Sequence, residues 1–455
     1  MFCDEIKKNL ARAAVVLCFL LGCSAISRKA EFIVLYSNDV LGELENCGCD
    51  EGQLGGLSRR ARVIHMAEQE KKAFLRTDAG NLFFNKAPAN EIEAKEFLLK
   101  AEYILAAYNR MGYDAINIGE ADFFLGLTAL TDLRKKASFP FVSSNIADKS
   151  TGGPVFEQVV FKEVSGLTVG IVGLCPKSAA IEQYVRVQDP VDTAKKLVPA
   201  VRKQCDFMVI LSGLGLEADR VLAQQVPGID LIVAAKADSL LRDAVREGAT
   251  AIVQAYTRGQ YVGRLDIAKA SGEARPAFTI GNVLIPLKEE IGEDKDIISL
   301  AKEYKARVFA MNKQEFFKAK LQASEGVAPS GTVYTGEKNC RQCHAPQYEN
   351  WLNTFHARAY ATLAKNSSHY DIECLSCHTT GYGEQGGYAV SQGEQSPFRN
   401  VQCESCHGPG SRHTGEKSGI VRDGGRDVCL GCHNEKNSPK FDYEEYLPMV
   451  KCPVT

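Results

Sequence analysis

The 455-residue chain carries almost no excess of charge, with 54 basic residues against 56 acidic ones. A nucleic-acid partner needs a basic face that displaces counterions from phosphate, and this balance gives no such footprint, so no nucleic-acid partner is expected. Long apolar runs are missing too. The run Ala13–Leu21 is far shorter than the ~20 residues that span a bilayer, and no later stretch is long and apolar enough to cross one. Histidine is scarce upstream: of eight, only His65 precedes residue 340. It falls in a helical stretch, Arg60–Lys71, where a surface or packing role is expected. Beyond about residue 325, Val, Ile and Leu give way to Cys, His, Gly and Ser, so this part has to hold its core with something other than aliphatic side chains.

What stands there instead is four copies of Cys-x-x-Cys-His. They are Cys340, Cys343 and His344; Cys374, Cys377 and His378; Cys403, Cys406 and His407; and Cys429, Cys432 and His433. Two cysteines three positions apart form thioethers to the two vinyl groups of one haem, and the next histidine reaches the iron from the same side. Zinc is the rival for paired cysteines, but it gives no reason for a histidine after every pair. The expectation is four c-type haems, with porphyrin as the core and these four histidines as proximal ligands. Three more histidines beyond residue 330, His356, His369 and His413, are the distal candidates. Seven imidazoles do not make four bis-histidine haems. Met449, Lys451 and Cys452 in the C-terminal tail are chemically able to fill the remaining position.

At the other end, Lys7, Lys8 and Arg12 precede the apolar run, the layout of an export signal. Leu20-Leu21-Gly22-Cys23-Ser24 resembles a bacterial lipobox, which implies a lipid on Cys23, and Ser24 in place of Asp implies the outer membrane, on its periplasmic side or at the cell surface. Export and haem attachment name one compartment, because c-type maturation takes place outside the cytoplasmic membrane. The expected organisation is a signal over 1–22, a tether over 23–31, a first domain over 32–290, a linking helix over 291–328 and a tetrahaem domain over 329–455. The linker reads as a helix because Ile297, Leu300, Ala301, Tyr304, Val308 and Met311 recur at helical spacing.

Between residues 32 and 290 short apolar runs alternate with helical stretches. Phe32–Tyr36, Ala115–Ile118, Val169–Val172, Phe207–Leu211, Leu231–Val233 and Ala251–Val253 are apolar on both faces, as strands covered by helices are. The fold class is α/β with layered sheets. Cys47 and Cys49 fall in a loop of this domain, where two thiols chelate a soft metal, act as a redox pair, or form disulfides with Cys175 and Cys205.

Five loops carry a resemblance: Ser37-Asn38-Asp39, Asp78-Ala79-Gly80-Asn81, Gly119-Glu120-Ala121-Asp122-Phe123, Val226-Pro227-Gly228-Ile229-Asp230, and Ile252–Ala255 with Gly263-Arg264-Leu265. The domain resembles the calcineurin-type metallophosphoesterase domain of bacterial 5′-nucleotidases, which implies a layered sandwich with two metal ions at the strand ends. At the family's ligand positions this chain has Asp39-Val40-Leu41, Asn81, Glu120-Ala121, Gly213 and Lys236-Ala237-Asp238, and only Asp39 is unchanged. Leu41 and Gly213 offer no ligand atom, so no dinuclear centre is expected and the domain reads as catalytically silent. Lys236 is expected to pair with Asp39 or Asp238 in place of a cation. An altered mononuclear site for an oxygen-preferring ion, from Asp39, Asn81, Glu120 and Asp238, is the alternative.

The last quarter is similar to the cytochrome c-554 type tetrahaem domain, through Cys343-His344-Ala345-Pro346-Gln347-Tyr348, Trp351, Phe355-His356-Ala357, Thr379-Thr380-Gly381-Tyr382-Gly383 and His407-Gly408-Pro409-Gly410-Ser411-Arg412-His413. That resemblance implies three bis-histidine haems, one open haem and redox protein partners. Electron transfer is the function expected. Oxidation or reduction of a small nitrogen or sulfur compound at an open haem, or a retained phosphoesterase, are the alternatives.

Overall fold

The computed structural model describes residues 31–45, 54–270, 277–322, 332–365, 368–369, 371–390, 392–421, 424–434, 437–438 and 440–453, without the side chains of 313–322. Cys23, Cys47 and Cys49 therefore lie outside the described residues. The chain divides into two compact units, one covering the described residues up to Ala301 and the other those from Lys302 on. No helix among the described residues is long and apolar enough to cross a membrane.

The first unit is built on two six-stranded sheets and one small one. In chain order its strands are β1 Phe32–Ser37, β2 Ala73–Asp78, β3 Ala115–Asn117, β4 Phe141–Val142, β5 Ile146–Ala147, β6 Val159–Val164 and β7 Leu167–Leu174. There follow β8 Arg186–Val187, β9 Phe207–Ser212, β10 Leu231–Ala234, β11 Val245–Glu247, β12 Thr250–Val253, β13 Tyr261–Lys269 and β14 Phe278–Pro286. One sheet runs β14-β13-β1-β2-β3-β4, the other β11-β12-β10-β9-β7-β6, and β5 pairs with β8. β1 to β4 are parallel, as are β7, β9, β10 and β12, while β13, β14, β6 and β11 join as antiparallel edges.

Alternation along the strands decides what each face covers. Phe32, Val34 and Tyr36 of β1 share one apolar cluster with Val169 and Ile171 of β7 and Phe207, Val209 and Leu211 of β9, so the two large sheets pack face to face. Phe207 sits edge-on to Phe32 at 5.5 Å and to Phe278 at 5.0 Å. The opposite face of the second sheet, through Val172, Met208, Ile210 and Ile232, is covered by the helices Pro190–Arg202 and Leu216–Gln225. Asn90 starts the helix Glu91–Met111 by accepting a bond from the Glu93 amide, and Gly112 ends it in the left-handed region at φ 67°. The α/β layered class expected from the apolar runs is the class observed.

One local expectation needs adjusting. The helix around His65 runs over Leu57–Glu68, one turn earlier than the sequence implies, because Gly55 and Gly56 take positive φ and turn the chain into it. His65 is partly exposed, with Nδ1 3.3 Å from Asp294. Cys175, after β7, is buried and Cys205, before β9, is half-buried, and the disulfides read from Cys47 and Cys49 to them fall outside the described residues. Within the span expected as a linking helix, 291–328, lies the helix Lys295–Gln322, in which Ile297, Leu300, Ala301, Tyr304 and Val308 are buried and Met311 is half-buried.

The second unit has short helices and little aliphatic core. Its main apolar cluster is Tyr360, Leu363, Leu375 and Tyr388. Large apolar side chains stand exposed beside the motifs, Phe355 at 85 % and Met449 at 68 %.

Candidate functional site

Two places deserve separate description, one in each unit. In the first unit the loops at the carboxyl ends of the parallel strands converge, as the topology of α/β sheets arranges. Asp39, Leu41, Asn81 and Lys236 all take positive φ there, between 47° and 60°. The conformations are held by bonds between loops: Asp39 N donates to Gly80 O at 2.9 Å and Leu41 N to Asn81 O at 2.9 Å, while Arg258 N donates to Asp39 O at 2.6 Å.

The side chains have turned inward on one another. Asp39 Oδ1 accepts from Asn81 Nδ2 at 2.7 Å, and Oδ2 accepts from Asn38 Nδ2 at 3.0 Å and Ala237 N at 2.9 Å. Lys236 Nζ lies 3.6 Å from Glu120 Oε2. The sequence pointed Lys236 toward Asp39 or Asp238, and this is corrected: Asp39 is already filled by amide donors, and exposed Asp238 accepts from Ser239 Oγ at 3.1 Å. Of the four candidate ligands of a mononuclear site, Asp39 and Asn81 are brought together, Glu120 is engaged by Lys236, and Asp238 is exposed and bonded to Ser239.

Beneath this layer lies a network that the motifs did not reveal. Asp78 accepts from Ser37 Oγ at 2.5 Å, Tyr108 OH at 2.9 Å and Gly80 N at 2.9 Å, with Arg60 Nη1 3.9 Å away, and both charged groups are fully buried. Burial raises the Asp78 carboxyl above the usual range, against the pull of Arg60 and its hydrogen bonds. Asp122 binds the amides of Asn81, Phe83 and Gly119 at 2.9–3.0 Å, and burial pushes it up to about 7.

In the second unit each Cys-x-x-Cys-His occupies about one helical turn, which puts both thiols and the imidazole on one side. His344 N donates to Cys340 O at 2.9 Å and His433 N to Cys429 O at 2.8 Å. His378 Nδ1 lies 2.7 Å from Ala359 O and His407 Nδ1 2.8 Å from Val421 O. A carbonyl only accepts, so Nδ1 carries the proton in both rings and Nε2 keeps the lone pair that a metal needs.

Two histidine pairs face each other. The rings of His344 and His413 are 6.0 Å apart at 25°, and those of His356 and His433 are 6.1 Å apart at 47°. Two metal–imidazole bonds of about 2 Å, with half a ring on either side, place the centroids about 6 Å apart, so both pairs have the span of axial ligands on one ion. His369 lies elsewhere, edge-on to Phe309 at 5.4 Å, with Nε2 3.6 Å from Glu394. Neither His378 nor His407 is faced by a second histidine ring in this way among the described residues. The thiols of Cys340 and Cys403 are neighbours, as are those of Cys377 and Cys432, which sets the first motif beside the third and the second beside the fourth. These donors, the small aliphatic core and the exposed Phe355 fit haem, whose attachment converts the thiols to thioethers and whose ring supplies the missing apolar surface.

Comparison with known proteins agrees with this donor set. The family described as cytochrome c554 and c-prime matches residues 339–408, and the doubled CXXCH motif matches residues 396–438. Cytochrome c-554 of Nitrosomonas europaea is 31% identical over 162 residues, covering 27% of this chain and 68% of that protein. The C-terminal part of the chain belongs to the cytochrome c-554 family. It is a multihaem cytochrome domain that binds c-type haem.

Upstream of that cytochrome domain, the chain is homologous to nucleotidases. Snake venom 5′-nucleotidase of Crotalus adamanteus is 26% identical over 340 residues, covering 65% of this chain and 55% of that protein. The chain thus spans about half the length of the nucleotidases it matches. A 5′-nucleotidase precursor from Thermus thermophilus superposes with a TM-score of 0.51 at 23% identity, covering 61% of this chain and 59% of that one, which shows the same fold. A calcineurin-like phosphoesterase fold joined to a cytochrome c-554 domain is therefore the architecture.

Proposed function

We propose that this chain is an exported, lipid-anchored electron-transfer protein with four c-type haems, carrying a phosphoesterase-like domain that is catalytically silent. The observation that carries the reading is the two facing imidazole pairs, His344 with His413 and His356 with His433, each with the span of a bis-histidine iron. Haem, when bound, supplies a one-electron couple, and axial histidines keep its potential low because no methionine sulfur raises it. The residues of the chain do the rest. The motif cysteines would hold each haem as thioethers, the Ala359 and Val421 carbonyls orient His378 and His407, and the pairing of motifs one with three and two with four would let bound haems exchange electrons.

Silence of the first domain is supported by Asp39 being enclosed by three N–H donors and by Lys236 holding Glu120. The two-metal reaction needs ions that clamp phosphoryl oxygens and generate hydroxide, and Leu41 and Gly213 supply no ligand for either task. The domain then serves as a structural or docking module for redox protein partners. The signal and lipobox at Cys23 support anchoring, with the outer membrane as the destination.

The test is haem content per chain by pyridine haemochrome, with a spectroelectrochemical titration of the full chain. Four haems that reduce and reoxidise reversibly at low potential support the reading, and fewer than four, or haems that do not exchange electrons, refute it. Hydrolysis of a nucleotide by the same preparation, lost in Asp39→Ala, would overturn the silence of the first domain. A second reading rests on His378 and His407, which no histidine ring faces at about 6 Å among the described residues: an open iron there would let a small nitrogen or sulfur compound bind, and prompt carbon monoxide binding to the reduced protein would favour it.

A further inference from the structure

The third motif differs from the others at its first variable position. Cys403-Glu404-Ser405-Cys406-His407 has a carboxylate where the other motifs have Arg341, Leu375 and Leu430. Arg341 and Leu430 are exposed and Leu375 joins the apolar cluster, but Glu404 is buried at 3 % exposure. A buried carboxylate is costly unless it is fully hydrogen-bonded, so its partners say what it is for.

They come from two distant segments. Oε1 accepts from Gly410 N at 2.6 Å and from Thr335 N at 2.9 Å, with Thr335 Oγ1 at 3.2 Å, and Oε2 accepts from Gly336 N at 2.7 Å. The same segments are tied again beside it, since Val333 N donates to Ser411 Oγ at 2.9 Å and Ser411 N to Val333 O at 3.1 Å. Gly410 leaves no room for a side chain: a Cβ there would stand 3.0 Å from Glu404 Oε1 and 3.2 Å from Thr335 Oγ1.

The two segments lead to the two ends of one axial pair. Gly336 caps the short helix Glu337–Arg341, which carries Cys340 and leads to His344, and Gly410 precedes the helix Ser411–Glu416, which carries His413. We propose that Glu404 is the positioning residue for the His344–His413 pair, so that a carboxylate inside the third haem-binding motif sets the axial ligation of the first haem. The proposal rests on the four-haem reading. Without the carboxylate the segment bearing His413 keeps its Val333–Ser411 bonds to the segment leading to His344 but loses its anchor at Gly410, and the sixth position of that iron opens while the thioether bonds persist.

The experiment uses the full holoprotein and compares the unsubstituted chain with Glu404→Gln, Glu404→Ala and His413→Ala. Haem content is measured first, and carbon monoxide binding to the reduced protein is then counted per chain. The expected result is unchanged haem content in both Glu404 variants, with one more carbon monoxide-binding haem per chain in Glu404→Ala. Glu404→Gln, which keeps one acceptor oxygen, shows the same gain in part, and Glu404→Ala combined with His413→Ala adds nothing beyond either alone. An unchanged carbon monoxide count with haem retained overturns the proposal. Loss of haem from both Glu404 variants overturns it as well, because a residue that only positions His413 leaves attachment intact. Fewer than four haems in the unsubstituted chain is a failure of the functional reading, seen before any variant is compared.

Discussion

Asp219→Asn is expected to stabilise the first domain in alkaline solution and not in acid. Asp219 is fully buried near the start of the helix Leu216–Gln225, with Oδ1 2.5 Å from Ser212 Oγ and Oδ2 without a partner. Burial pushes its carboxyl up to about 8, and the Ser212 hydroxyl offsets only part of that. Because the folded value lies above the unfolded one of about 3.9, stability is fully present below about pH 4, falls as pH rises, and is at its lowest above the folded value. A difference of about four units corresponds to an upper limit of about 5 kcal/mol lost between pH 4 and 8. Asparagine removes that loss, at a cost of about 1 kcal/mol for an unpaired amide. Hydrogen exchange at the amides of β9 and β10 in the full chain reads the opening free energy, from pH 5 to 9. The variant should be about as stable as the unsubstituted chain at pH 5 and stronger by several kcal/mol at pH 9. A constant difference across that range would mean that Asp219 does not change protonation on unfolding, and the burial argument would be wrong.

Arg60→Ala should cost about 3–5 kcal/mol, since it leaves Asp78 buried and without its counter-charge, and a thermal shift of the first domain measures it. Gly263→Ala should cost about 1–3 kcal/mol or more by overpacking, because its Cβ would fall 1.9 Å from the Tyr36 ring; a midpoint unchanged in denaturant would refute the clash. His356→Ala removes the ring 6.1 Å from His433 and should turn one haem high-spin, read by electron paramagnetic resonance, with no loss of haem.

The sequence made the strands readable because runs such as Phe207–Ser212 and Leu231–Ala234 are apolar on both faces, and only a strand covered on both sides needs that. The covalent haem motifs were equally plain, since two thiols and an imidazole on one helical turn are a local pattern. What spacing does not carry is partnership across the fold. His356 faces His433 and His413 faces His344, each joining opposite ends of the domain. Lys236 was misassigned for the same reason: its partner depends on which carboxylates the backbone amides of other loops had already taken. Glu404 gave one signal that was passed over, an acid in a motif whose sister copies have none, and the Gly-Pro-Gly turn after it marked where the chain had to come close.

On the proposed reading, the strand ends of the first domain are those of a centre that has lost its ions and kept its shape. Two ions between carboxylates neutralise charge and cross-link loops at the same time. Here the two tasks are divided. Asn81 cross-links, since its amide donates to Asp39 and its Oδ1 accepts from Ala121 N at 3.0 Å, while Lys236 neutralises, through Glu120. The left-handed conformations at Asp39, Leu41, Asn81 and Lys236 cost about 1–3 kcal/mol each, and they persist because the Gly80, Asn81 and Asp39 carbonyls and the Asp39 carboxylate hold the loops from several directions. On the proposed reading, what such a domain contributes to a haem protein is a rigid loop surface, and the residues that made it self-supporting are those that stand in the family's ligand positions.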